Sequence, residues 1–177
     1  MRQVRRTVLI GLTATALGFS GPANGAAPAG ELGQLPPQDT TYLMTSHQLH
    51  LAEVISGTRA STEGTCPLVR ELGAMLVADH TRLDATGVEV ALPNMVPLPL
   101  TPTKAQVQQM WDTGIRIGRD FDLTWLRMQE DFHHEFRRAG AEQLRSGTSE
   151  SVTTLARDAV PSIDHHLQLV REALNRC

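Results

Sequence analysis

Aromatic residues are scarce in this chain. One Tyr, two Trp and four Phe make up 4% of its 177 residues. A core must therefore be built mainly from Leu, Val, Ile, Met and Ala. Lysine is almost missing, with Lys104 the single example. No basic patch interleaved with aromatics exists, which argues against nucleic acid as a partner. No stretch alternates apolar and polar residues with period two, so no sheet is expected. No apolar run reaches the length of a bilayer-spanning helix. There is no Gly-x-Ser-x-Gly elbow, no phosphate-binding glycine loop and no Cys-x-x-Cys, which removes the commonest signatures of hydrolases, nucleotide enzymes and thiol oxidoreductases. No internal repeat is evident.

What is present begins with an address. Arg2, Arg5 and Arg6 precede an apolar stretch from Thr7 to Phe19, and small residues follow. This pattern reads as a signal peptide over residues 1–25, cleaved after Gly25. Secretion or a periplasmic location is expected, by the general or the twin-arginine route. No cysteine stands near the cleavage site to carry a lipid anchor. Three of the 16 basic residues lie in the leader, so the remainder carries 13 against 19 acidic residues, a net charge of −6. Residues 26–38, rich in Gly, Pro and Ala, read as a flexible arm.

Residues 39–177 read as one all-α domain. Asp39, Thr40 and Thr41 offer caps for a helix to about Arg59, with Leu43, His47, Leu51, Val54, Ile55 and Thr58 along its inner face. A second helix runs from Pro67 to about Gly87, through Leu72, Leu76 and Leu83. Residues 88–103 hold Pro93, Pro97, Pro99 and Pro102 and cannot be regular. A short helix from Lys104 to Asp112 ends before Gly114 and Gly118. Long helices follow over about 119–145 and 149–175, and Pro161 is expected to kink or restart the last.

An up-down-up-down bundle and a crossover bundle are both open from the helix count. At about 3.3 Å per residue, the Pro-rich link reaches roughly 50 Å. The second helix is only about 33 Å long at 1.5 Å per residue. The link can therefore cross the whole molecule, which makes a four-helix bundle of ferritin-like topology the expected fold. A crossover also brings Cys66 and Cys177 to the same pole, where an exported protein would oxidise them to a disulfide. Two unpaired thiols, or an intermolecular link through Cys177, are the alternatives.

The same topology puts His47, His80, His133 and His166 within about one turn of a common level, one on each long helix. At 100° per residue each faces inward, with Asp79 beside His80. His50, His134 and His165 fall outward and read as solvated. Four imidazoles and a carboxylate suit a divalent transition metal. A bare polar layer that fixes helix register would use the same residues.

The order of Ala52-Glu53-Val54, Leu76-Val77-Ala78-Asp79-His80, Phe121-Asp122 with His133, and Val160-Pro161 with His166-Leu167 resembles the ferritin-like domain-of-unknown-function family numbered 4142. These are exported bacterial proteins, and the resemblance spans about residues 40–174. It implies a ferritin-like bundle, singles out Glu53, Asp79, His80, His133 and His166, and implies no established reaction. His47 is outside its pattern. Di-iron bundles use paired Glu-x-x-His motifs. Only Glu130-x-x-His133 fits here, so ferroxidase activity and iron storage are not expected, and neither is an enzyme in general. Two classes of function remain: an exported metal- or small-ligand-binding bundle, or a non-catalytic structural module with a partner in the cell envelope.

Overall fold

A helix whose apolar face is interrupted by polar residues needs specific neighbours, and this chain supplies them at long range. In a computed structural model, which describes residues 34–177, there are five helices and no strand among the described residues. These are α1 (Pro37–Glu63), α2 (Pro67–Ala91), α3 (Lys104–Gly114), α4 (Gly118–Ser146) and α5 (Glu150–Arg176). The expected leader and most of the expected arm lie outside the described residues. No described helix is long and apolar enough to cross a membrane.

The helix ends show why each element forms where it does. Both α1 and α2 begin with a proline, whose fixed φ suits the first turn and whose missing N–H is no loss there. As a result α1 starts at Pro37, two residues before the expected Asp39 cap. The Asp39 carboxylate is fully buried and caps a different helix. It accepts from Thr148 N and Ser149 N at 3.2 Å each, at the start of α5, and from the Gln143 amide. Asp122 does the same at the opposite pole, accepting from Thr65 N at 3.0 Å and Cys66 N at 2.8 Å. Helix α3 opens with a capping box formed by Thr103 and Gln106.

Helix α1 runs past the expected end at Arg59 to Glu63, and α3 takes in Gly114 rather than ending before it. Two further expectations need correction. Helix α2 runs through Gly87 to Ala91, because only Pro93 stops it; the turn that follows places Met95 at φ 53°. Helix α5 does not restart at Pro161, which lies on the exposed face, so the carbonyl left without a donor can be hydrated. Gly118 takes φ 60° as the chain turns into α4, a region open to glycine at little cost.

Helices α1 and α2 form one tightly packed pair and α4 and α5 another; α1 also packs on α4, α2 on α5, and α3 on α4 and α1. The two backbones of α1 and α2 come close at Gly57 and Gly73. A Cβ on Gly57 would come within 2.9 Å of the Gly73 carbonyl oxygen, and one on Gly73 within 2.7 Å of the Gly57 oxygen. One apolar cluster holds Leu49, Leu72, Leu76, Phe121, Trp125, Leu126, Phe132 and Phe136. A second, at the Asp39 pole, joins Tyr42, Leu43, Ala91, Val96, Val152 and Ala156. At the Asp122 pole, Cys66 and Cys177 are bridged with Cα atoms 5.8 Å apart, and Arg119 donates to the Cys177 carbonyl at 2.8 Å.

Candidate metal centre

Four buried imidazoles meet in the core, beside Phe136 of the first apolar cluster. They are His50 from α1, His80 from α2, His133 from α4 and His166 from α5. Ring centroids are 5.2 Å apart for His50–His80 and His80–His166, 5.4 Å for His80–His133 and 5.3 Å for His133–His166. Phe136 stacks on His80 at 5.2 Å and closes the layer on one side.

The residue from α1 is His50, not His47. The expected inner face of α1 is wrong by part of a turn: Ile55 is 53% exposed and Thr58 is exposed. The buried face instead carries Ser46, His50, Glu53, Ser56, Gly57 and Ala60. Small residues mark this face because α2 comes so close at Gly57. His47 sits at the edge of the layer and pairs with Asp84 at 2.7 Å. His134 faces Glu130 and Arg171, and His165 is exposed.

Hydrogen bonds set which nitrogen is free in His133 and His166, and the pairing with His50 offers the same arrangement for His80. His133 donates through Nδ1 to the Gln129 carbonyl at 2.8 Å, so its Nε2 keeps a lone pair. His166 donates through Nε2 to Asp79 at 3.1 Å, so its Nδ1 keeps one. His80 Nδ1 lies 2.9 Å from His50 Nδ1; donation to His50 leaves His80 Nε2 with a lone pair as well. These three atoms, His80 Nε2, His133 Nε2 and His166 Nδ1, are fully buried with no hydrogen-bond partner. One ring nitrogen from each of the three histidines lies within 4.8 Å of the other two.

Two of the expected carboxylates stand behind the rings rather than among the free nitrogens. Asp79 holds His166 and also faces Arg82, not the neighbouring His80. Glu53 is completely buried, 3.4 Å from His133 Nδ1. With its amide nitrogen turned toward Glu53, Gln129 donates to Oε1 at 3.0 Å while its carbonyl accepts from Ser56 at 3.0 Å and Trp125 at 3.2 Å. Sequence reasoning missed this Glu53–Gln129–Ser56–Trp125 network.

Burial dominates the protonation states. It pushes His50 and His133 down to about 3 and His80 well below its ordinary value, helped by the neighbouring imidazoles. His166 is lowered by burial, opposed by its bond to Asp79. Burial raises Glu53 well above the usual carboxylate range. Burial also raises Asp79, but its bonds to His166 and Arg82 outweigh that and leave it low. At neutral pH the layer is thus a set of neutral imidazoles, with lone pairs on His133 Nε2 and His166 Nδ1, and on His80 Nε2 when His80 Nδ1 donates to His50.

That donor set fits a cation. One metal ion can accept a lone pair from all three nitrogens at once. At 2.0–2.1 Å from one ion, ligand nitrogens would be about 3.4 Å apart, so small ring movements would close the site. A ligand imidazole whose other nitrogen is tied to a carboxylate or backbone carbonyl is the usual support for a protein-bound metal.

Together these features define an all-helical protein with a buried three-histidine centre. A family model described as a domain of unknown function (DUF4142) matches residues 24–173. The chain belongs to that family. Comparison with curated proteins found no match, and comparison with solved structures found none.

Proposed function

We propose that this is an exported, ferritin-like four-helix bundle that binds one divalent transition metal through His80 Nε2, His133 Nε2 and His166 Nδ1. The observation that carries the reading is the convergence of three buried, unpartnered nitrogens whose rings are each held from behind. Three neutral imidazoles favour Zn²⁺, Cu²⁺ or a similar ion over Mg²⁺ or Ca²⁺. A di-iron centre is disfavoured, because Glu130, the carboxylate of the single Glu-x-x-His motif, bonds to Arg171 at 2.8 Å on the surface, away from the histidine layer.

The crossover topology is supported by the ends that meet. The start of α2, the start of α4 and the end of α5 gather at Cys66, Asp122 and Cys177. Two helices that begin at one pole need a link that traverses the molecule, and residues 92–117, including α3, supply it. Export is supported by the leader's residue pattern and by the cysteine pair. The alternative is a structural module of the envelope, whose polar layer only fixes helix register.

The test is isothermal titration of metal-stripped protein with Zn²⁺ and Cu²⁺. One ion per chain with Kd below about 10 μM, or −6.8 kcal/mol, is expected. The His80→Ala, His133→Ala double variant should lose that binding. Wild-type binding weaker than this for both ions contradicts the proposal.

A further inference from the structure

Gly140 is buried in α4, yet a Cβ placed on it would meet nothing within 4 Å. In a close-packed interior that is unusual, because a hidden glycine normally marks crowding. The space belongs to a cleft of about 190 Å³ between α4 and α5, partly open to solvent and walled by Tyr42, Phe136, Gly140, Ala156, Ala159 and Ile163. Small residues on both helices hollow it out, and the aromatic rings of Tyr42 and Phe136 bound it. An apolar cavity of about 150 Å³ is enough to hold benzene.

The lining also says what kind of guest fits. Its only charged residues are Arg137 and Asp164, and they pair with each other at 3.1 Å. No net charge is left to attract an ion. Leu144 and Val160 border the same cavity and are each 41% exposed, an apolar rim that helix packing does not require. Phe136 is a shared wall, lining the cavity and stacking on His80 at 5.2 Å.

We infer that this cavity is a binding site for an uncharged, largely apolar molecule the size of one six-membered ring. The guest lies one phenyl ring away from the histidine layer. The inference stands apart from the metal reading, because every wall is present without an ion.

The test uses toluene as probe and benzoate as its charged counterpart, on the metal-stripped full chain, with NMR of the Ala156, Ala159 and Ile163 methyl groups. Toluene should shift these signals saturably with Kd below about 1 mM. Benzoate should bind at least about tenfold more weakly, since its carboxylate would be stripped of water without a partner. Gly140→Leu fills the void and should weaken toluene binding by at least about tenfold, with unchanged helix content by circular dichroism. Ala159→Leu is the second filling variant, for use if the first does not fold. No saturable shift, undiminished toluene binding in a folded filled variant, or equal binding of benzoate would each overturn the assignment. Retained toluene binding in a protein that binds no metal would remove the metal proposal and leave this one intact.

Discussion

The two helix pairs use glycine in opposite ways. Between α1 and α2, Gly57 and Gly73 let two backbones approach until no Cβ can fit. Between α4 and α5, Gly140 borders empty space. The first seam is closed and lies toward the disulfide; the second is open and lies toward the Asp39 pole. The histidine layer sits between them. The contrast teaches that one buried residue type can mark either crowding or a vacancy, and that only the facing atoms tell which.

The largest expected effect comes from the closed end. The Cys66–Cys177 bridge spans 111 residues, and the chain-entropy view gives a loop of that size about 4–5 kcal/mol. Cys66→Ala with Cys177→Ala should lose up to that amount in urea unfolding, with helix content kept in native buffer. Next is the layer itself. His50 and His133 are neutral when folded, with values near 3, but take up a proton near 6.5 when unfolded. The unfolded chain then binds more protons, so the metal-free protein should lose stability as pH falls from about 6.5 toward 3. The slope is about half of 1.4 kcal/mol per pH unit for each imidazole at pH 6.5 and approaches about 1.4 further below it. Glu53 acts in the opposite direction, costing stability as pH rises above its unfolded value of about 4.5. Urea unfolding of stripped protein at pH 5.5 and 6.5 measures the balance, and greater stability at 5.5 would remove the buried neutral imidazoles.

The two glycine seams are compared directly by alanine. Gly73→Ala forces backbone apart and should cost about 1–3 kcal/mol. Gly140→Ala meets no atom and gains helix propensity, so it should stabilise by about 0.5–1 kcal/mol. Thermal unfolding of the two variants side by side should therefore shift in opposite directions. A loss of stability in Gly140→Ala would erase the contrast.

The all-helical class, the family and the approximate helix spans are readable from apolar spacing and local motifs. So are His80, His133 and His166, because α2, α4 and α5 carry continuous apolar stripes that point at the core. The residue from α1 is not readable in this way. Its buried face is made of Ser46, His50, Glu53, Ser56, Gly57 and Ala60, while Ile55 faces solvent, so hydrophobicity gives the wrong angle. The signal that was available is the spacing of small residues, Ser56, Gly57 and Ala60, which marks where another backbone can come close. Asp39 was misread for a different reason. A carboxylate near a helix start looks like a local cap, but its donors are more than 100 residues away. Such pairings are set by tertiary packing and leave no trace in spacing. The cavity at Gly140 was equally hidden, since a vacancy is a property of what faces a residue.

The most direct test of the three-histidine centre is X-ray absorption on protein loaded with one equivalent of Zn²⁺. Three imidazole nitrogens at about 2.0–2.1 Å are expected. Their signal should drop to at most two in His166→Ala and stay at three in His47→Ala. A zinc shell made of oxygen atoms, or one unchanged by His166→Ala, would contradict the assignment.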